Sequence, residues 1–301
     1  MHELAGEAAA LTAAALWAAA VVWFRPAIAS HGARAVNLLK GLVATALLAV
    51  TAAFTGGFDA LSTAPAAAFG WMGASAIAGL TLGDTALFAA VRRTGAHTAL
   101  LLQTLAPVFT AVLALPAGER LAGGEWLGAS VVLIGVAMVV GPGARGPETA
   151  PAEDRVAWRA GLAFGVLAAF GQGAGIALAK PALGALPVLP ATFLRLAVGT
   201  AGLALLGWRS GTLRRTVAAF ADPMARRTAV PASVLGTYLA MLLMMASVAW
   251  APATIASVLL STSPVLGMIV EAMVDHRRPS PVAVLGTVVA VAGVAVLTTS
   301  G

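Results

Sequence analysis

The chain has no cysteine, a single tyrosine, and charge on only 10% of its 301 residues. Without cysteine there is no disulfide and no thiolate metal site. A soluble domain carries roughly 25% charged residues, so a chain this poor in charge is solvated by lipid or by itself. Histidine is limited to positions 2, 31, 97 and 276, all at the ends of apolar segments or at the terminus. No HExxH, GxSxG or GxxxxGK[ST] occurs, which removes the zinc-peptidase, serine-hydrolase and P-loop signatures. Asp84 is the one acid deep in an apolar segment, and an aspartyl dyad needs two carboxylates sharing a site. No enzyme activity, no cofactor and no metal is expected.

What is present is apolar: 60% of residues are hydrophobic and the mean hydropathy is +0.93. Runs of 17–25 apolar residues are long enough to cross a bilayer as helices. Ten are expected, at about 6–24, 35–54, 67–90, 96–116, 124–141, 158–179, 188–208, 229–250, 252–273 and 281–298. Met1 to Glu7 is acidic rather than basic, so the first run reads as a permanent helix, not a cleaved signal. Most connections are short. The two longest are 141–158 and the arginine-rich stretch 209–228.

The two halves are copies. WFRPAIASHGARAVNLLKGLVAT (23–45) resembles LAKPALGALPVLPATFLRLAVGT (178–200), pairing Pro26 with Pro181 and Lys40 with Arg195. LLLQTLAPVFTAV (100–112) resembles SVLLSTSPVLGMI (257–269), pairing Pro107 with Pro264. WLGASVVLIGVAM (126–138) resembles VLGTVVAVAGVAV (284–296), pairing Gly135 with Gly293. Each half holds five spans, and an odd number inserts the second copy upside down, the inverted-repeat plan of many secondary transporters. The fold class is therefore an all-α integral membrane protein of ten helices in two inverted five-helix repeats. The first repeat is 1–141, the linker loop 142–157 and the second repeat 158–301.

The net charge of +6 and pI near 11.2 do not point to nucleic acid, because the arginines sit in short gaps between apolar runs. That pattern reads as topology and contact with anionic lipid. Fourteen of the 18 basic residues fall in loops after spans 1, 3, 5, 7 and 9, and Arg120 and Lys180 on the other side. The positive-inside rule makes the arginine side cytoplasmic, with both termini outside.

ALFAAVRRTGAHTALLLQTLAPVFTAVLALPAGERLAGGEWLGASVVLIGVAMVV (86–140) resembles the EamA domain of the drug/metabolite transporter superfamily. The carrying residues are Ala96 and the run after it, Pro107, Gly118-Glu119-Arg120 and Trp126-Leu127-Gly128. The second copy keeps Pro264 and Leu285-Gly286 but has Val274-Asp275-His276 at the turn. The resemblance implies a ten-helix carrier of the bacterial inner membrane, with spans 3, 4, 8 and 9 lining most of a central cavity. Many such proteins export amino acids or other small metabolites. It also implies both termini inside, against the charge count.

Pro107 and Pro264 predict helix kinks, each freeing the carbonyl four residues earlier. Bent helices at membrane depth face protein or a water-filled cavity. Beside them lie polar clusters, Gln103 and Thr104 in one copy, Ser261, Thr262 and Ser263 in the other, read as substrate contacts. The bland alternative is hydroxyls bonded to their own helix. Asp84 is the strongest candidate, since an intramembrane acid is functional by default. It has three candidate roles: to pair with Lys40 or Arg195, to bind a substrate amine, or to carry a coupling proton. Lys40 and Arg195 either snorkel to the headgroups or grip a carboxylate or phosphate. Trp17, Gln172 and Tyr238 are further cavity candidates, and Glu271 reads as a solvated helix end. Glycines at 79, 83, 161 and 165 and in GQGAG (171–175) predict close helix contacts. The expected partners are a small-molecule substrate and membrane lipid, in a monomer or homodimer. The expected function is a secondary exporter of amino acids or related metabolites, the alternatives being a lipid flippase or a drug/amine efflux carrier.

Overall fold

The computed structural model describes residues 2–114, 123–143, 152–250, 259–276 and 279–299, and all its regular elements are helices. The order is α1 (His2–His31), α2 (Ala33–Thr55), a short α3 (Gly57–Ser62) and α4 (Ala66–Thr94). Then come α5 (96–114), α6 (Gly123–Gly143), α7 (Ala152–Leu183) and α8 (Val188–Gly207). The chain ends with α9 (Thr212–Ala221), α10 (223–250), α11 (Ser263–Asp275) and α12 (Pro281–Thr299). Helical residues fall on each of the ten predicted segments, with the ninth described only from residue 259. Among the described residues six helices are long and apolar enough to cross a membrane, and Trp126–Met138 and Pro281–Val296 are shorter apolar helices. The protein is a multi-pass, all-α membrane protein.

Alanine and leucine dominate these runs and favour helix. Gly32 stops α1 at φ +86°, and its N–H returns to Ile28 O, a conformation only glycine adopts freely. The stretch 209–228, expected as a connection, is largely helical. Asp222 caps α10 by accepting the Met224 N–H at 2.9 Å, with Pro223 in the first turn, where its missing donor costs nothing. The predicted turn at Gly118-Glu119-Arg120 lies outside the described residues, as does half of the linker loop, 144–151.

Helix α4 is the interior helix. Its most apolar window is 72% buried, against 39–50% in the other five long helices, whose outer faces carry exposed residues such as Phe54, Leu205 and Leu206. Neither α4 nor α10 is regular. Ile77–Asp84 and Ser233–Leu239 are π-helical. They begin 156 residues apart, within the offset that relates the two copies. A π turn displaces carbonyls from the regular ladder and recurs at functional sites.

Helices without a hydrophobic drive between them associate by close packing of small residues. The glycines flagged in the sequence do this. A Cβ on Gly171 of α7 would stand 2.9 Å from Gly83 Cα of α4, and one on Gly175 would stand 3.0 Å from Gly79 Cα. The repeat-related Gly135 and Gly293 make a second such contact. A Cβ on either would meet backbone nitrogen of the facing helix, Ala290 N at 2.4 Å or Val132 N at 2.5 Å.

Candidate functional site

Lys40 of α2 and Asp84, the last residue of the π segment in α4, form an ion pair, Nζ to Oδ2. Lys40 is 1% exposed and Asp84 4%. Neither snorkels. Two charges taken from water at this depth must neutralise each other or cost several kcal/mol apiece. The ammonium also lies 5.4 Å from the ring centroids of Trp17 and Phe88, within cation–π range. Phe88 in turn packs on Phe24, centroids 5.0 Å apart. Trp17 is half-buried and so forms one wall of the pair's surroundings.

The π segment is tied to three helices. Asn37, one turn before Lys40, donates to Leu80 O at 3.0 Å and Thr85 Oγ1 at 2.8 Å. Thr81 Oγ1 donates to Gly199 O of α8 at 3.1 Å, and Ser75 Oγ, just before the segment, to Gly175 O of α7 at 2.5 Å. These side chains satisfy carbonyls that buried backbone cannot leave unpaired.

Arg195 of α8 is 1% exposed, and its Nη1 lies 3.9 Å from Met241 Sδ of α10. Among the described residues Nε and Nη2 make no hydrogen bond. Asp84 attracts it electrostatically but hydrogen-bonds to Lys40. The repeat-related cations therefore end differently, one paired and one not.

Tyr238, Thr104 and Thr262 make their hydrogen bonds elsewhere. Tyr238 is half-buried beside Leu48, Leu80 and Leu196, with its hydroxyl 2.9 Å from Thr51 Oγ1. Thr104 Oγ1 donates to Leu101 O at 2.7 Å and Thr262 Oγ1 to Leu259 O at 2.6 Å, bonds within their own chain turns. Ser261 lies in the turn before α11, and Gln172 is half-buried beside the α4–α7 glycine contact. Gln103 opens a 3-10 turn, Gln103–Leu105, inside α5.

Both prolines fall on interruptions. Pro107 is the second residue of the helix resuming at Ala106, and Pro264 the second residue of α11. Proline is tolerated in a first turn. The Gln103 carbonyl, expected to be freed by Pro107, accepts the Ala106 N–H instead.

The arginine-rich end carries polar contacts that the sequence reading missed. Arg25 of α1 donates to Glu271 Oε1 and to both oxygens of Asp275, each at 2.9 Å. Glu271 Oε2 also accepts the His97 N–H at 2.8 Å. Glu271 is thus no solvated helix end; it joins α1, α5 and α11. A cavity of about 300 Å³ beside it is lined by Val22, Arg25, Pro26, Ala29 and Val274. His31 Nε2 donates to Asp222 Oδ2 at 2.8 Å. That bond, with the Met224 N–H, holds the Asp222 carboxyl below its ordinary value of 3.8. The i, i+4 spacing of Glu271 and Asp275 was the available signal, since it puts two acids on one helix face. Among the described residues no group of three or more His, Asp or Glu is placed to hold a metal.

The family model for the EamA-like transporter family matches residues 4–141 and 159–299, nearly the whole chain, in two copies. The chain belongs to the EamA-like transporter family. This is the membership expected from 86–140, and it makes the chain a membrane transporter of the drug/metabolite type. No curated protein matches it. Among solved structures, a chain titled "Crystal structure of protein" is 17% identical, with a TM-score of 0.65. The alignment covers 99% of this chain and 97% of that one, a likeness of fold alone.

Proposed function

We propose that this EamA-like transporter is a secondary carrier exporting amino acids or related small metabolites across a bacterial cytoplasmic membrane. The observation that carries the reading is the Lys40–Asp84 pair, buried where the interior helix of the first repeat meets α7 and α8 of the second. Ionisable groups held at such depth mark substrate or proton paths. The second support is backbone: π segments at repeat-related places in α4 and α10, where a regular helix would be stiffer.

Alternating access then follows from rocking of one repeat against the other. The Arg25–Glu271, Arg25–Asp275 and His31–Asp222 pairs each join the first repeat to the second at one end. They hold that end shut and separate when it opens. No nucleotide-binding motif supplies energy, so a gradient or the solute itself does.

The test is mass spectrometry of medium and cytosol from cells expressing the protein, beside cells expressing Asp84→Asn. A solute that gathers outside only with the intact protein supports export and identifies the substrate. No difference, with both proteins confirmed in the membrane, turns the reading toward uptake or lipid transfer. Single cysteines placed at 145 and 210 fix orientation, because the chain has none of its own. Labelling of both from the cytoplasm supports the charge bias; labelling of both from outside supports the family orientation.

A further inference from the structure

Lys40 receives a carboxylate from α4, and among the described residues no carboxylate hydrogen-bonds to Arg195. The positions of α10 in the register of Asp84 are Ala240 and Met241, and the atom facing the guanidinium is the thioether Sδ. We propose that Arg195 is the receptor for an anionic oxyacid group, carboxylate or phosphate, on the transported solute, which takes in the second repeat the place Asp84 takes in the first.

The two unpartnered nitrogens, Nε and Nη2, lie on one edge of the guanidinium. They present two parallel N–H groups, the side-on fork that binds carboxylate or phosphate through two oxygens. Arginine cannot discard its charge by deprotonation in a protein, so at 1% exposure the group needs an anion. Asp84 is already taken by Lys40. The fork edge is bordered by glycine: a Cβ on Gly79 would lie 2.7 Å from Nη2 and one on Gly175 3.0 Å. Gly79 belongs to the first repeat and Gly175 to the second, so parting of the repeats uncovers this edge. The inference rests on the carrier reading for that access. A lipid headgroup offers the same phosphate chemistry as a free solute.

The test uses the full chain in phosphatidylcholine nanodiscs at constant ionic strength. Thermal unfolding is followed while the L-amino acids, their amides and inorganic phosphate are titrated. Saturable stabilisation by phosphate or by an acid but not its amide is expected, with apparent affinity at least tenfold weaker in Arg195→Gln. Met241→Glu keeps the arginine and supplies a carboxylate of its own. It is expected to melt above Met241→Gln and to lose the anion response. If only phosphatidylglycerol discs shift the melting temperature, and only with Arg195 present, the anion is a lipid headgroup. No saturable response to any of these, equal response to acid and amide, or an unchanged response in a folded Met241→Glu overturns the proposal. Solute flux into proteoliposomes is read separately. Flux without an Arg195-dependent anion response sinks this inference and leaves the carrier; the response without flux does the reverse.

Discussion

The interior pair and the end pairs of this protein obey opposite rules. Lys40–Asp84 lies within one repeat and is nearly inaccessible; Arg25–Glu271 and His31–Asp222 bridge the repeats and are part-exposed. A pair inside one body survives the movement of that body. A pair between two bodies must break when they part, so it is affordable only where water can replace its partners. The buried pair thus sits inside one repeat, where rocking of the repeats would not separate it, and the part-exposed pairs span the two. Arg195, bordered by glycines of both repeats, is the buried charge that such parting would uncover.

The sharpest break in this comparison is Asp84→Asn. It leaves the Lys40 ammonium buried without an anion, a loss of about 3–5 kcal/mol. Lys40→Met with Asp84→Leu should recover most of that stability while abolishing transport. Arg195→Met, by contrast, strands no carboxylate and should cost under about 1 kcal/mol or stabilise. Denaturation of the purified proteins in micelles reads all three; a large loss in Arg195→Met would mean that the two cations are not different after all.

Next comes the seam between the bodies. Gly175→Ala puts a methyl against Gly79 Cα, and overpacking of this kind costs about 1–3 kcal/mol. Gly70→Ala, where the added carbon meets nothing within 4 Å, should be neutral or better. Equal melting temperatures for the two would deny the close α4–α7 contact.

Glu271→Gln should cost only about 1 kcal/mol, because a part-exposed pair is weak. Its effect on accessibility should be larger. A cysteine introduced at position 25's neighbour Ala29, which lines the adjacent cavity, should label faster in the variant. Unchanged labelling would show that Glu271 does not hold this end closed.

The smallest effect concerns pH. Asp222 is held below 3.8 by His31 and the Met224 N–H. A depressed carboxyl contributes stability that is present above its unfolded value and is lost as pH falls through the folded value. Melting temperature should therefore drop below about pH 4, and Asp222→Asn should flatten that limb. A wild-type limb identical to the variant's would remove Asp222 from the acid response.

The helical class, the duplication and the family were legible because apolar run length and a repeated register are properties of a line of residues. Asp84, Lys40 and Arg195 stood out for the same reason: charge inside an apolar run is visible wherever the run folds. Their pairing was not visible, since 44 residues separate Lys40 from Asp84 and 246 separate Arg25 from Glu271. Nor were the π segments: no residue signal in TLGD or TYL marks them, and each sits among distant helices, the first against α7 and α8 and the second against α1 and α2. The glycines lie between these cases. Their spacing announced close contact, but which helix they would touch depended on the bundle.

Sequence by itself determined that this chain enters a membrane as helices, in two copies, with three ions carried inside. It does so because lipid forces every backbone group to bond within its own segment, which makes local composition decisive. Tertiary structure alone decided that one buried cation is ion-paired while the other has no hydrogen-bonded carboxylate among the described residues. That outcome depends on which side chains converge from distant segments, and burial makes such convergence count by several kcal/mol.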